Sequence, residues 1–280
     1  MFVNTLPYIS NPIDEFKDFK LVSWERDIYS QLKGEIKQDE IDFYTDLIIA
    51  RGLKRMVDFG VGGGRELSGI LGTLERREYS WEQAEANEVD EGFIMLAGAL
   101  FYKRQQRVLI HRTNWLDLPK ADPPYEGIFD FALLTGNSLT YIGGGTREYT
   151  KKAQQIIVNK FAQLIEPGGY FFIDSRNYDY IRSLMNLPTD QIFKHFLFGG
   201  SVYYHGRVLV FPAYISDTVV VLHYYDKDRR VWSKLDLYPI YQHDMIDILS
   251  KDFTVECIYH DFKKETKEKS LFIQYLARRK

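Results

Sequence analysis

A run of alternating glycines follows an acidic residue early in the chain and is suited to binding a small molecule. Asp58, Gly60, Gly62 and Gly64 are separated by single residues within "MVDFGVGGGRELSGI". Because glycine carries no side chain, the backbone here can approach a ligand closely. The dinucleotide fingerprint G-x-G-x-x-G does not fit, since its sixth position holds a large side chain in both possible frames. The pattern predicts a nucleotide-like cofactor.

Two further stretches carry side chains suited to an adenosine group. Asp90 is expected at the end of the second strand, where its two carboxylate oxygens can accept hydrogen bonds from both ribose hydroxyls. Capping of the helix that follows is the structural alternative for this residue. Asn114, Trp115 and Leu116 follow the third strand and offer amide and backbone groups to the adenine edge and a flat wall to its face. Burial of Trp115 in the core is the alternative here.

Alternating strands and helices are needed to bring these residues together. Apolar residues recur at helical spacing over 13–33 and 39–51, and "RMVDFG" then enters the glycines as a buried strand. The later elements are helix "RELSGILGTLERRE", strand "EANEVD", helix "EGFIMLAGALFYKRQ", strands "RVLIH" and "IFDFALLT", helix "REYTKKAQQIIVNKFAQLI" and strand "GYFFIDS". This alternation is typical of an α/β fold with a doubly wound, mostly parallel sheet, which binds ligands at the carboxyl ends of its strands.

Residues 201–238 break this alternation. They are rich in strand formers, with turn signals at His205-Gly206 and Asp226-Lys227-Asp228, and they predict an antiparallel insertion. The chain then returns through a helix near 242–251 and strands near 253–260 and 270–277. We expect a core made of 1–176 and 242–280 and an insertion made of 177–241.

Composition excludes several classes of protein. The chain has 280 residues, 45% hydrophobic and 27% charged, which is enough for one large domain. Its formal net charge is -3 without a long Lys/Arg cluster, so we expect no nucleic-acid partner. The single Cys257 allows no internal disulfide, and six scattered histidines lack metal-ligand spacing. Without a signal-peptide pattern or an apolar run of about 18 residues, the sequence predicts a cytoplasmic protein with no membrane partner.

Several motifs resemble, in order and spacing, those of the glycine N-methyltransferase family and its bacterial glycine/sarcosine/dimethylglycine N-methyltransferase relatives. The pattern over 58–64 resembles motif I of class I S-adenosylmethionine-dependent methyltransferases. More specific are "NEVDEGFIML", "TNWLDL", "LLTGNSLTY" and "IDSRNYDYI", which extend the resemblance over roughly residues 40 to 240. The resemblance implies a Rossmann-like, seven-stranded sheet and S-adenosylmethionine as the cofactor.

The resemblance also implies an acceptor site at two polar residues. Arg176, in "RNYDYI", would grip the carboxylate of an amino-acid acceptor, and a guanidinium fork suits that group. Asn137, in "GNS", would orient the same acceptor. The alternatives are an ion pair of Arg176 with Asp174 or Asp179, and a turn role for Asn137.

Four tyrosines complete the site that the resemblance implies. Tyr44 matches a tyrosine on the helix before the first strand, whereas Tyr204, Tyr224 and Tyr238 fall on the insertion, at positions that resemble the family's lid tyrosines. Aromatic faces and phenolic oxygens suit a cationic sulfonium and an amine. Ordinary packing in the sheet is the alternative for each of them.

The resemblance implies methyl transfer to the amine of glycine, sarcosine or dimethylglycine, in betaine-type osmolyte synthesis or methyl-group balance. We expect an in-line displacement at the sulfonium methyl, in which catalysis comes mainly from alignment of the reacting groups. The stretches "VYYHGR" and "GNSLTYIGGG" depart from the family's pattern. Another small acceptor and a regulatory S-adenosylmethionine-binding protein are the alternatives, and assembly into a homo-oligomer is left open.

Overall fold

The computed structural model describes residues 37–120, 125, 128–184, 203–205, 208–226, 231–264 and 269–280, and of 203–215, 223–226 and 231–234 it describes the backbone alone. The predicted helix over 13–33 lies outside these residues. The second predicted helix is present as α1, Gln38–Arg51. Within the described part of the chain, no helix has the length and apolar character required to span a bilayer.

A seven-stranded sheet forms the centre of the molecule. Its strands are β1 (Arg55–Phe59), β2 (Gln83–Glu88), β3 (Leu109–Arg112), β4 (Phe129–Leu134), β5 (Ile165–Arg176), β10 (Phe253–His260) and β11 (Phe272–Arg279), in the spatial order β10-β11-β5-β4-β1-β2-β3. The pairs from β5 to β3 are parallel, and β11 is antiparallel to both of its neighbours. The predicted doubly wound, mostly parallel sheet is confirmed.

Helices cover both faces of this sheet. Successive side chains of a strand point to opposite faces, and both faces are apolar, so each must be buried under helices. On one face α1 packs with α2 (Arg65–Arg76) and α3 (Glu91–Lys103). On the other face lie α4 (Arg147–Ala162) and α6 (Gln242–Leu249). A short helix α5 (Tyr178–Ser183) follows β5, and two 3-10 turns occupy Trp115–Asp117 and Ser138–Tyr141.

The predicted antiparallel insertion is also present, as a second sheet. Its strands β6 (Tyr203–His205), β7 (Val208–Ile215), β8 (Val220–Asp226) and β9 (Val231–Leu237) pair in sequence order, each antiparallel to the next. β6 ends at His205 and β8 at Asp226, the first residues of the two predicted turn signals, whose remaining residues lie outside the described ones.

The sheet order places the ligand-binding edge. β1 lies between β4 and β2, so the connections from β1 and from β4 leave in opposite directions across the sheet. A crevice forms at the carboxyl ends of strands where the order reverses in this way. The glycines after Phe59 and the loop after Leu134 therefore lie side by side at one edge of the sheet.

Candidate functional site

The glycine loop after β1 is held by the neighbouring strand. The backbone N–H groups of Gly60 and Val61 donate to the carbonyl of Asn87 at 2.9 and 3.0 Å. Gly64 has a positive φ of 80°, and a methyl added there would come within 3.1 Å of Ala97 on α3. Gly62 also has a positive φ, of 52°, but an added methyl would meet no atom within 4 Å. Gly64 therefore permits close helix packing, whereas Gly62 borders open space.

A carboxylate that the sequence analysis missed binds this loop. Glu88 is the last residue of β2, and its side chain accepts hydrogen bonds from the N–H groups of Gly62 at 3.1 Å, Val89 at 2.7 Å and Asp90 at 3.1 Å. Burial raises the pKa of Glu88, and these three backbone hydrogen bonds act in the opposite direction. Glu88 thus joins the end of β2 to the glycine loop.

The prediction that Asp90 ends the second strand is wrong. The strand ends at Glu88, and Asp90 is the N-cap of α3, where its side chain accepts from the N–H of Phe93 at 3.0 Å. The acid two positions after the strand is needed to cap the helix, because the first turn has N–H groups without helical partners. A ribose contact of Asp90 stays a prediction, and Glu88 is the other candidate for it.

The stretch Asn114 to Leu116 forms a 3-10 turn behind the glycine loop. The side chain of Asn114 accepts from the N–H of Leu116 at 2.9 Å, which caps the turn. Trp115 is 7% exposed; its ring packs edge-on to Phe161 and lies 3.0 Å from the position of a methyl added at Gly60. Leu116 packs against the same core. The core alternative for Trp115 is confirmed, and adenine contacts of these residues stay predictions.

Tyr44 on α1 lies near the strands β1 and β5, which carry Asp58 and Asp174. Its side chain is fully buried, it packs edge-on to Phe172 of β5 at 5.1 Å between ring centroids, and its hydroxyl has no hydrogen-bond partner among the residues that the structure describes. Burial raises the pKa of this hydroxyl well above its ordinary value. Nearby carboxylates add to the effect, and they belong to Glu40, Asp174, Glu66 and Asp58.

These four carboxylates lie on four different elements: Glu40 on α1, Asp58 on β1, Glu66 on α2 and Asp174 on β5. Asp58 lies on β1 and is buried, at 2% exposure. Glu66 lies in the first turn of α2 and accepts from Arg65 at 2.6 Å. The sequence analysis identified Asp58 but not Glu66, which a separate helix brings to this hydroxyl, and not Glu40, which lies one turn before Tyr44 on α1.

Asn137 holds two segments of the acceptor side together. It follows β4 with a left-handed φ of 64°, so the turn alternative is confirmed. Its side-chain oxygen accepts from the N–H of Arg176 at 3.0 Å, and its side-chain nitrogen donates to the hydroxyl of Tyr178 at 2.9 Å. Both of its polar atoms therefore bind protein groups. Direct contact of Asn137 with an acceptor stays a prediction.

Arg176 ends β5 beside this junction, and its guanidinium lies 5.1 Å from the centre of the Phe272 ring. The two acids considered as its ion-pair partners bind backbone groups. Asp174 accepts from the N–H groups of Gly136 at 3.0 Å and Asn137 at 2.7 Å. Asp179 accepts from the N–H of Gln242 at 2.7 Å. Asp174 thereby fastens the loop after β4 to β5, a role that the sequence analysis missed.

The predicted tyrosines of the insertion occupy different places. Tyr204 lies on β6 opposite Leu209, and Tyr224 lies on β8 opposite Val210, so the two occupy adjacent rows of the second sheet. Tyr238 follows β9, where its N–H donates to the carbonyl of Thr140 at 2.7 Å. Tyr238 is the member of this group that the structure brings to the loop after β4.

Metal ligands are not clustered in the part of the chain that the structure describes, where no group of three or more His, Cys, Asp or Glu side chains could hold an ion.

Comparisons with known proteins agree with this geometry. No family model matches the chain. The chain is 26% identical over 237 residues to the glycine/sarcosine N-methyltransferase of Halorhodospira halochloris, a match that covers 84% of this chain and 74% of that enzyme. It is 35% identical over 75 residues to the glycine N-methyltransferase of Rattus norvegicus, a match that spans 27% of this chain and a quarter of the rat enzyme's length.

The fold has counterparts among solved structures. An S-adenosylmethionine-dependent methyltransferase from Clostridium acetobutylicum ATCC 824 superposes with a TM-score of 0.67 at 13% identity, covering 96% of this chain and 99% of that one. The resemblance inferred from the motifs is thereby confirmed. The chain has the fold of the class I S-adenosylmethionine-dependent methyltransferases and is similar in sequence to the glycine and glycine/sarcosine N-methyltransferases.

Proposed function

We propose that this class I methyltransferase transfers the methyl group of S-adenosylmethionine to the amine of glycine, sarcosine or dimethylglycine. The observation that carries the proposal is the junction at the carboxyl ends of β4 and β5. There Asn137 accepts from the backbone N–H of Arg176, so the strand end that carries this guanidinium is fixed at the same edge of the sheet as the glycine loop. A carboxylate-bearing acceptor matches that cation.

The residues at the glycine loop fit S-adenosylmethionine. Open space at Gly62 and Gly63 leaves room for a ligand against the backbone. Glu88, beside that space, supplies carboxylate oxygens of the kind that accept hydrogen bonds from ribose hydroxyls. We propose Glu88 for this role together with or in place of Asp90, with Asn114, Trp115 and Leu116 lining the adenine side.

The electrostatic character of the site supports the same cofactor. S-adenosylmethionine has a net charge of about +1 at neutral pH, from a sulfonium and an ammonium against one carboxylate, on the ordinary ionisation of such groups. The carboxylates of Glu40, Asp174, Glu66 and Asp58 all raise the pKa of the Tyr44 hydroxyl, and a negative potential of this kind favours a bound cation. When bound, the cofactor supplies an electrophilic methyl group on a sulfonium.

The protein's contribution is placement of the acceptor. Arg176 orients the carboxylate, and the loop fixed by Asp174 and Asn137 keeps the guanidinium's own strand end in place. The raised pKa of Tyr44 keeps its hydroxyl protonated at neutral pH, so this tyrosine does not act as a phenolate base. Alignment of the amine nitrogen is then the main source of rate.

The second sheet is proposed to be a lid over the acceptor, within an insertion of residues 177–241. Adjacent rows of a pleated sheet alternate between its two faces. We therefore propose that one of Tyr204 and Tyr224, rather than both, contributes to the site, and the turnover of Tyr204→Phe and Tyr224→Phe decides which. We also propose that the protein acts in the cytoplasm, in betaine-type osmolyte synthesis or methyl-group balance.

A panel of paired amines tests the proposal. Release of S-adenosylhomocysteine is measured with glycine, sarcosine and dimethylglycine, and with methylamine, dimethylamine and trimethylamine as their carboxylate-free counterparts. We expect turnover of at least one amino acid and a much lower kcat/KM for its counterpart. Equal kcat/KM values within a pair, or turnover of none of the amino acids, would reject this substrate class.

A further inference from the structure

The loop after β4, residues 136–145, is hydrogen bonded to two different parts of the molecule, and we call it the acceptor loop. At its first end Asp174 accepts from the N–H groups of Gly136 and Asn137 at 3.0 and 2.7 Å, and Asn137 accepts from the N–H of Arg176. The start of the loop is therefore attached to the end of β5, where the proposed acceptor site lies.

The middle of the acceptor loop is bound to the segment that directly follows the second sheet. The N–H of Tyr238, directly after β9, donates to the carbonyl of Thr140 at 2.7 Å. Gln154 of α4 donates to the carbonyl of Ile142 at 2.9 Å and to that of Tyr238 at 3.4 Å. The end of β9 is thus held to the loop both directly and through α4.

Thr140 takes part in both sets of contacts. It is fully buried, and its hydroxyl donates to the carbonyl of Asn137 at 2.6 Å. One residue therefore binds Tyr238 through its carbonyl and Asn137 through its hydroxyl, and all of these contacts are shielded from water.

Gly143 determines where Tyr238 lies. The Tyr238 side chain packs directly on the Gly143 backbone: a methyl added to Gly143 would overlap the Tyr238 ring, and would also approach Tyr238 Cβ to 2.6 Å and Thr150 Cγ2 to 2.8 Å. Distances below 3.0 Å require some atoms to shift. Glycine at this position is consequently required for the observed place of Tyr238. The glycine run that departs from the family's pattern includes this residue.

We propose that Thr140 and Gly143 are positioning residues that couple the second sheet to the acceptor site, so that the place of Tyr238 and the place of Asn137 and Arg176 are set together. The proposal rests on the proposed function, in which Arg176 holds the acceptor. Small displacements of an acceptor are costly to the rate, because the reacting atoms must be aligned. The glycine loop and Glu88 are bonded to β2 instead, so cofactor binding should be independent of this coupling.

A matched pair of substitutions tests Thr140. Thr140→Val replaces the hydroxyl by a methyl group of similar size, whereas Thr140→Ser keeps the hydroxyl. Each enzyme is assayed with the acceptor that the wild type methylates fastest, and S-adenosylmethionine affinity is measured by calorimetry. We expect Thr140→Val to lower kcat/KM for the acceptor by about tenfold or more, with cofactor affinity within twofold of wild type, and Thr140→Ser to restore most of the loss.

A second matched pair tests Gly143. Gly143→Ala forces Tyr238 to move, whereas Gly98→Ala adds the same methyl at a helical glycine with no atom within 4 Å. We expect a fall in acceptor kcat/KM for Gly143→Ala alone, again with cofactor affinity unchanged. Because the acceptor is chosen from the wild-type panel, failure of the glycine-type substrates is seen in the wild type and is separate from failure of the coupling. Folded Thr140→Val and Gly143→Ala proteins with wild-type acceptor kinetics, or with an equal loss of cofactor affinity, would overturn the coupling.

Discussion

The carboxylate of Glu88 accepts a hydrogen bond from the backbone N–H of Gly62 at 3.1 Å, so the end of β2 and the glycine loop after β1 form one unit. The second carboxylate oxygen of Glu88 accepts from the backbone N–H groups of Val89 and Asp90. A carboxylate with this role is bonded to the loop before any ligand arrives. It can therefore fix the loop and still offer lone pairs to a hydroxyl, because a carboxylate has about four acceptor positions.

The first prediction separates Glu88 from Asp90 in cofactor binding. Glu88→Gln should weaken S-adenosylmethionine binding measured by calorimetry by about tenfold or more, because a charged acceptor is lost both for the loop and for the ligand. Asp90→Asn should have the smaller effect, since asparagine is also a good N-cap and keeps the hydrogen bond to Phe93. A larger loss for Asp90→Asn would assign the ribose to Asp90 instead.

The pH dependence of the same binding follows from the pKa of Glu88. Burial raises this pKa, so the protonated form accumulates at higher pH than for an ordinary glutamate. Cofactor affinity should therefore fall as the pH is lowered from neutrality through the raised pKa. In the unliganded protein the sign is opposite: the folded state binds this proton more tightly than the unfolded state, so stability from this group is present at low pH and is lost as pH rises. Glu88→Gln should flatten both profiles.

The second prediction concerns two neighbouring glycines with different surroundings. Gly64→Ala should reduce the free energy of unfolding by about 2–5 kcal/mol, from the left-handed backbone together with tight contacts of 3.1 Å with Ala97 and Phe101. Gly62→Ala carries only the backbone cost of about 1–2 kcal/mol, because its added methyl meets open space. If that space belongs to the ligand, Gly62→Ala should lose the more cofactor affinity. Urea unfolding and calorimetry measure the two effects, and equal effects of the two variants on both would contradict this division.

The third prediction concerns the guanidinium of Arg176. Arg176→Lys keeps the charge but loses the planar pair of donors, so kcat/KM for the amino-acid acceptor should fall by about ten- to hundredfold, as for a lost hydrogen bond to a charged group. Affinity for S-adenosylmethionine should be nearly unchanged, because the glycine loop is hydrogen bonded to Asn87 and Glu88 of β2. Wild-type kinetics for the lysine variant would show that Arg176 does not hold the acceptor.

How much of this could be predicted from sequence depends on how local the signal is. β1 and α2 were predictable because apolar runs and the glycines between them lie next to each other in the chain. The place of Asp90 was not, because a strand end and a helix cap two residues apart both favour an acid. Nor were the bonds from Thr140 to Tyr238 and from Asn137 to Tyr178, which join segments that are distant in sequence and leave no periodic pattern.

The last prediction concerns the hydroxyl of Tyr44, which is fully buried and has no hydrogen-bond partner in the described part of the chain. An unsatisfied buried polar group costs about 1–3 kcal/mol. Tyr44→Phe should therefore leave the unliganded protein as stable as the wild type or more stable, by up to that amount, as measured by urea unfolding. If the hydroxyl serves a bound ligand, the same variant should gain less in melting temperature when S-adenosylmethionine or the acceptor is added.

The effect of the ligand distinguishes a binding role of Tyr44 from a packing role. The stability of the unliganded protein reports only the cost of the unsatisfied hydroxyl, so the ligand decides between the roles: a tyrosine that only packs would give the same ligand stabilisation in both proteins. The raised pKa adds a further check, because a hydroxyl that stays protonated contributes no ionisation to the rate profile between pH 7 and about 10. Wild type and Tyr44→Phe should therefore differ in the height of the pH-rate profile but not in its shape. A change of shape would mean that Tyr44 ionises during turnover, contrary to its surroundings of four carboxylates.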